Sequence, residues 1–333
     1  MLPLPPFEWA EPASLDELLA LLATHGRDAL IVAGGTDAVP NLKHRLHEPR
    51  VVVSTARVPE LQGIVCDADG LQLGAGVTLA ALARDERVAR AHPALTRAAG
   101  LVAGPQLRAM GTVGGNLCLD TRCTYYNQTY FWRAALGFCL KNSGTVCHVV
   151  PAGKRCVAAH SSDLAPVLIA LGATLAVAGP SGARTMPVDA FFVADGIHNN
   201  VLQPGEVVTR VHVPAEAQAY ACGYQKLRPR AAIDFPMLSV AFAVKMNGVV
   251  KDARLVVSAI AARPRVVTGV DALLRGGPLD APAIEAVAQL AARQCHPLIN
   301  VPYDAEWRKA MVPVYVRRAA REALGLPPVE EAN

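Results

Sequence analysis

Charge of either sign is scarce in this chain. Of 333 residues only 18% are Asp, Glu, Lys or Arg, and 32 basic against 28 acidic side chains leave a formal charge of +4. No run of Lys or Arg interrupts the sequence, so the electrostatic footprint of a nucleic-acid surface is missing and no nucleic-acid partner is expected. Aromatic residues are rarer still, at 5%, so any crowding of them needs a local reason. Long apolar runs are missing too. The longest, Leu164 to Ala178, is interrupted by Pro166 and Gly172 and falls short of the ~20 residues of a membrane-spanning helix. The opening Met1-Leu-Pro-Leu-Pro-Pro-Phe-Glu-Trp9 lacks the basic segment and apolar core of a secretory leader, so a cytoplasmic location off the membrane is expected. Eight cysteines are too few for a disulfide scaffold of this length. In a reducing compartment, clustered thiols speak instead for metal or redox chemistry. What is plentiful is apolar side chain, 52% of the chain with mean hydropathy +0.26, which excludes global disorder and supports a large core.

The order of predicted elements divides the chain in three. Ser14-Leu-Asp-Glu17 reads as a capped helix start ahead of Leu18, Leu19, Leu21 and Leu22. With strands over 29–32 and 50–54, residues 1–57 form a small β-α-β unit. The second unit, 58–217, has a strand over 71–74, a helix from Thr78 into the nineties and an alanine-rich helix over 94–103. Ser161-Ser-Asp163 then caps an apolar helix to Leu171, followed by a strand over 173–178. Residues 118–157 differ sharply in composition and read as an insertion. In the third unit, 218–333, a hairpin turns at Asn247-Gly248 between strands over 239–246 and 255–260. Helices over 281–293 and 304–324 close it, the second with a kink or break expected at Pro313. Strands followed by helices predict an α+β unit.

Two glycine segments stand out. Val32-Ala-Gly-Gly-Thr-Asp37 follows a strand, and Gly111-Thr-Val-Gly-Gly-Asn116 is expected as a loop after a helix. Glycines let backbone N–H groups approach a phosphate closely, and the Thr36 and Thr112 hydroxyls add donors. Neither segment matches G-x-G-x-x-G, which weighs against a Rossmann site. Singly each reads as a turn; two similar segments beside β-α units point to a pyrophosphate clamp built from both. Spacing leaves turn and clamp open.

The insertion concentrates sulfur and aromatic rings. Cys123, Cys139, Cys147 and Cys156 fall within 34 residues, where an even spread of eight would place fewer than one. A lone free cysteine is an ordinary small core residue, and Cys66, Cys222 and Cys295 are read that way. Four together favour shared thiolate coordination, with zinc and an iron–sulfur cluster both open. The C-x₂₋₄-C pairs usual for structural zinc are absent. Tyr125, Tyr126, Tyr130, Phe131 and Trp132 are expected to wall the site from water or to form a small satellite core. His148 and His160 are expected at the surface or beside the ligands, not among them.

At these residues the chain resembles a known family, the FAD-binding medium subunits of molybdenum hydroxylases such as xanthine dehydrogenase and carbon monoxide dehydrogenase. The resemblance rests on Ala33-Gly-Gly-Thr-Asp37, Gln106-Leu-Arg-Ala-Met-Gly-Thr-Val-Gly-Gly-Asn116, Ser162-Asp-Leu-Ala-Pro166 and Lys226 in Tyr224-Gln-Lys-Leu-Arg, and it covers essentially the whole chain. Ala109 departs from the Asn of many relatives. Within the insertion, Asp120-Thr-Arg-Cys-Thr-Tyr-Tyr-Asn-Gln128, Phe138-Cys-Leu-Lys141 and Val146-Cys-His-Val149 are similar to the β subunits of 4-hydroxybenzoyl-CoA reductases.

The resemblance implies an α+β fold: a two-subdomain FAD-binding fold of the vanillyl-alcohol-oxidase (PCMH) type, with a C-terminal α+β domain like that of CO dehydrogenase flavoproteins. The three units above would be the two FAD-binding subdomains, the second carrying the insertion, and that C-terminal domain. It implies that Ala33, Gly34, Gly35, Thr36 and Asp37, with Thr112, Gly114, Gly115 and Asn116, wrap the FAD pyrophosphate, and that Asp120, Asp163 and Lys226 line the rest of the site. Cys123, Cys139, Cys147 and Cys156 would hold a 4Fe–4S cluster. No residue is assigned to catalysis, because the implied role is electron transfer. A ferredoxin-like donor would reduce the cluster, and electrons would pass through FAD to 2Fe–2S clusters on a small subunit and to molybdopterin-bound molybdenum on a large one. The implied assembly is a dimer of heterotrimers, and the implied reaction removes the phenolic hydroxyl of 4-hydroxybenzoyl-CoA. The alternatives are a medium subunit of another molybdenum hydroxylase working oxidatively, and a colourless module in which zinc structures the insertion.

Overall fold

The computed structural model describes residues 2–327. Strands β1 (Glu8–Ala10), β2 (Ala29–Val32) and β3 (Val51–Ser54) form a parallel sheet in the order β1-β3-β2. Parallel neighbours need crossovers, here α1 (Leu15–His25) and α2 (Ala38–Lys43). The start of α1 follows the predicted cap. Ser14 Oγ accepts the Glu17 N–H at 3.2 Å, and the Glu17 carboxylate reaches back to the Ala13 N–H at 2.8 Å.

The second sheet is wholly antiparallel. It contains β4 (Ile64–Asp67), β5 (Gly70–Gly74), β6 (Thr174–Gly179), β7 (Gly182–Pro187) and β8 (Val207–Pro214), in the order β4-β5-β8-β6-β7. Its central strand, β8, was not predicted, although buried Val211 and Val213 alternate with the less buried Arg210 and His212. The helix expected from Thr78 is two helices, α3 (Leu79–Arg84) and α4 (Glu86–Ala91), because the Asp85 carboxylate accepts the N–H groups of Arg87 and Val88 and caps a new start. The short helices α5 (Pro93–Gly100), α6 (Pro105–Met110), α7 (Val113–Leu117), α8 (Tyr130–Ala135), α9 (Leu164–Ala170) and α10 (Val188–Phe191) follow.

A third sheet, β12-β11-β10-β9, is built from β9 (Ala221–Leu227), β10 (Leu238–Asn247), β11 (Val249–Ser258) and β12 (Arg265–Val266). The predicted hairpin turns at Asn247-Gly248, where Gly248 has φ +70°, with a register shift between Lys245 and Met246. Helices α11 (Val270–Leu274), α12 (Ala281–Gln294) and α13 (Ala305–Ala323) cover one face. No break occurs at Pro313, and α13 runs through it. The buried Val312, Val316, Ala319 and Ala320 bind that helix to the sheet and α12 core, and this packing outweighs the ~3 kcal/mol a helical proline costs.

β10 is buried on both faces, and its sequence says how. The large Val240, Phe242 and Val244 enter the core under α12 and α13, while the small Ala241 and Ala243 face the core containing α9. All seven residues of α9 are buried, as a helix apolar all round requires. The second sheet and the C-terminal sheet therefore meet across α9. No helix among the described residues is long and apolar enough to cross a membrane.

His160, just before this helix, is not at the surface. It is fully buried, its ring 4.5 Å from that of Phe192, and neither ring nitrogen has a hydrogen-bond partner. Burial pushes its imidazolium down to about 3. The unfolded chain, with an ordinary imidazole near 6.5, therefore binds the extra proton below that value. Stability is full above pH 6.5 and is lost as pH falls from there toward 3. At about 1.4 kcal/mol per unit, His160 should remove about 2 kcal/mol between pH 7.5 and 5. Denaturant unfolding of His160→Phe at both pH values should show a correspondingly smaller loss than wild type; an unchanged difference would contradict it.

Candidate functional site

The site begins where the first glycine segment leaves β2. Gly35 has φ +69°, a backbone region open to glycine at no steric cost. Gly34 is placed more tightly still. A Cβ there would lie 1.9 Å from the Met110 carbonyl oxygen and 2.8 Å from the Gly111 nitrogen, so only glycine permits the contact. The second segment, expected as a loop, is mostly helix. Gly111 and Thr112 link α6 to α7, and Thr112 Oγ1 caps α7 by accepting the Gly115 N–H at 3.1 Å. Gly114 in turn lies against Ala75, whose Cβ would be 2.7 Å from any Cβ added there. Backbone thus meets backbone across segments far apart in sequence.

These segments wall a cavity of ≈ 650 Å³, inside the ~300–1,000 Å³ typical of small-molecule and cofactor sites. Ala33, Gly34, Gly35, Thr36, Asp37, Thr112, Gly114, Gly115, Asn116, Asp120 and Asp163 all line it. Lys226 does not; it stands behind Asp163. Its Nζ donates to Asp163 Oδ2 at 2.9 Å and to the Leu101 carbonyl at 3.0 Å, and the Tyr224 hydroxyl donates to Asp163 Oδ1 at 2.6 Å. Burial pushes the Asp163 carboxyl up, against the pull of Lys226 and Tyr224. The buried pair ties β9 to the cavity wall. Asn116 is also engaged: its Oδ1 accepts from Ser162 Oγ and from the Leu164 N–H, fastening α7 to α9.

Along the same wall runs a chain of polar contacts. Asp37 accepts from Arg122 at 3.2 Å and from the Asp120 N–H at 3.1 Å, while burial holds its carboxyl above the usual range. Burial acts to raise the Asp120 carboxyl as well, but His47 and Lys141 outweigh it and hold it below the ordinary value. Lys141 Nζ donates to Asp120 Oδ1 and Thr121 Oγ1, each at 2.5 Å, and to the Thr121 carbonyl at 2.9 Å. Sequence reasoning missed the part supplied from the β9–β10 connection. Ile233, with φ +58°, Asp234 and Phe235 line the cavity, and the Arg122 guanidinium lies 3.9 Å over the Phe235 ring. Apolar residues in an irregular loop carry no period or motif that marks them.

None of the eight cysteines forms a disulfide. Cys123, Cys139, Cys147 and Cys156 face one small void, ≈ 10 Å³, together with Tyr125, Tyr126, Lys141 and His148. Burial pushes the Cys123 thiol up to about 11, and the three neighbouring thiols push the same way. Among the described residues no group of three or more His, Cys, Asp or Glu is placed to hold a single metal ion. Two of the five residues of the expected aromatic wall are in place. Tyr125 and Tyr126 line the void, but Tyr130, Phe131 and Trp132 on α8 are exposed, Phe131 at 84%. Cys66 is also exposed, on β4, against the expectation of a core position.

The large cavity fits FAD. Two glycine-bearing backbones flank it, Thr36 and Thr112 stand beside them, and the buried Ser161 Oγ in its lining has no partner. Bound FAD supplies one- and two-electron chemistry; the chain supplies position and field. In the insertion, four soft sulfurs line one void.

Comparison with known proteins agrees with the large cavity. Residues 5–216 match a family model described as the FAD binding domain in molybdopterin dehydrogenase, and residues 223–323 match the CO dehydrogenase flavoprotein C-terminal domain. The chain is 29% identical over 320 residues to the carbon monoxide dehydrogenase medium chain of Hydrogenophaga pseudoflava, covering 96% of this chain and 97% of that one. It is 31% identical over 267 residues to the FAD-binding subunit of an aldehyde oxidoreductase of Escherichia coli K12, covering 78% and 83%. In three dimensions it resembles carbon monoxide dehydrogenase from H. pseudoflava at TM-score 0.78 and 28% identity, over 97% of this chain and 99% of that one. Quinoline 2-oxidoreductase from Pseudomonas putida 86 gives TM-score 0.77 at 25% identity, over the same shares. The FAD-binding fold with a CO dehydrogenase flavoprotein C-terminal domain, expected from the motifs, is the fold of this chain.

Gly34→Ala tests the clamp. The added methyl has to push the second segment away, at about 1–3 kcal/mol for an overpacked site. The purified variant should remain folded by circular dichroism and lose most of its flavin absorbance; full flavin occupancy would contradict the assignment.

Proposed function

Because the chain belongs to the family of FAD-binding medium subunits of the molybdenum hydroxylases, we propose that it is the flavin and iron–sulfur electron-transfer subunit of a 4-hydroxybenzoyl-CoA reductase-like enzyme. The observation that carries this reading is the convergence of Cys123, Cys139, Cys147 and Cys156 on one void. An iron–sulfur centre held by four thiolates is anionic, and the insertion supplies buried cations to meet it. Lys141 lies in the void lining, and the Arg133 guanidinium, only 1% exposed, donates to the carbonyls of His44, Arg45 and Gln128 and to the Asn142 side chain, all neutral acceptors.

In this proposal Ala33 to Asp37 and Thr112 to Asn116 hold the FAD pyrophosphate, Asp120 and Asp163 line the remainder, and Lys226 positions Asp163. The partners are a molybdopterin-binding large subunit and a 2Fe–2S small subunit in a dimer of heterotrimers, with a ferredoxin-like donor. The three units 1–57, 58–217 and 218–333 act as two flavin-holding subdomains and a C-terminal domain. An oxidative role is the second reading. It is favoured by the relatives' names, which include carbon monoxide dehydrogenase, aldehyde oxidoreductase and nicotine 6-hydroxylase subunits.

The intact complex, given a reduced low-potential donor and 4-hydroxybenzoyl-CoA, should release benzoyl-CoA. Oxidation of an aldehyde or N-heterocycle without any dehydroxylation would establish the second reading instead. Within the chain, Cys139→Ser should abolish the bleachable iron–sulfur absorbance and most of the bound iron while leaving flavin content near wild type, because Cys139 lines the small void and not the large cavity. Iron unchanged in that variant would remove Cys139 from the ligand set.

A further inference from the structure

The void and the large cavity share one buried ion pair. Lys141 lines the void among the four thiols, and Asp120 lines the large cavity. Their side chains, 4% and 19% exposed, meet at 2.5 Å. The ammonium is held in place by both oxygens of Thr121 that face it, at 2.5 and 2.9 Å, and by the Tyr126 ring 4.5 Å away. A cation fixed this way is screened by solvent far less than an exposed one. It stands between the two sites, in the lining of the void with the four thiols and in contact with the Asp120 carboxylate of the large cavity. On the far side the polar chain continues from Asp120 through its N–H to Asp37 and on to Arg122.

Resting on the reading that the thiols hold an iron–sulfur centre and the cavity holds FAD, we propose that Lys141 is the cation common to both sites, a tuning residue that raises the reduction potential of each. Reduction adds negative charge, and a nearby fixed positive charge stabilises the reduced form. Removing it lowers the potential of the cluster. It also takes the fixed ammonium away from the Asp120 carboxylate, leaving it the His47 ring at 3.6 Å; the flavin cavity becomes more negative, which lowers the flavin potential in the same direction. Arginine keeps the charge; methionine keeps most of the stem and loses it.

Anaerobic spectroelectrochemical titration of the intact complex tests this with Lys141→Met and Lys141→Arg, after iron and flavin have been counted in each. The expected result is a lower potential for both centres in Lys141→Met, with wild-type potentials in Lys141→Arg. Unchanged potentials in Lys141→Met with both cofactors in place would overturn the proposal, as would equal shifts in the two variants. If Lys141→Met loses its iron, full iron with wild-type potentials in Lys141→Arg supports the charge as the requirement, and loss of iron in both overturns it. Wild-type protein without iron overturns the cluster assignment itself, a result read from the metal count before any variant is compared.

Discussion

The contact between Gly34 and the Met110 carbonyl is the constraint from which the rest of the site follows. Two backbones can approach this closely only where no Cβ intervenes, and the approach fixes the end of β2 against the α6–α7 junction. Once those are joined, Thr112 is placed to cap α7, and Asn116 at its far end reaches Ser162 and the Leu164 N–H. The parallel N-terminal sheet, the helices of the second unit and the start of α9 thereby become three sides of one cavity.

The fourth side comes from the C-terminal unit, and an ion pair secures it. Asp163 and Lys226 are both fully enclosed, and a buried charge stripped of its partner costs about 3–5 kcal/mol, so β9 is held at one position relative to α9. That places the β9–β10 connection, with Ile233, Asp234 and Phe235, over the cavity. The C-terminal domain is therefore part of the cofactor site. Its sheet supports this by being buried on both faces, small side chains toward α9 and large ones toward α12 and α13.

Much of this was legible in the sequence because it is written in local chemistry. The Ser14 cap, the apolar run of α9, the hairpin at Asn247-Gly248 and the paired glycine segments each depend on a few adjacent residues. Four cysteines in 34 residues were equally plain. What was hidden depends on partners distant in the chain. β1 has three residues and exists by pairing with Val51 to Val53. β8 shows alternation, but its place at the sheet centre is decided by β5 and β6. Pro313 reads as a helix breaker until the packing of α13 is known. Lys226 belongs to the motif set yet acts one layer back, through Asp163, and no spacing rule distinguishes those positions. The burial of His160 and the exposure of Phe131 invert local expectation for the same reason.

The chain thus presents two sites of different construction on a common wall. One is made by backbone approach and takes a nucleotide-sized ligand; the other is made by soft side chains on an insertion stabilised by its own buried cations. Asp120 and Lys141 join the two through one ion pair. A crystal structure of the flavin-loaded protein tests the central claim most directly. The account predicts the pyrophosphate between the backbones of Gly34 to Thr36 and Gly114 to Gly115. A pyrophosphate bound elsewhere, with those glycines contacting only protein, would contradict it.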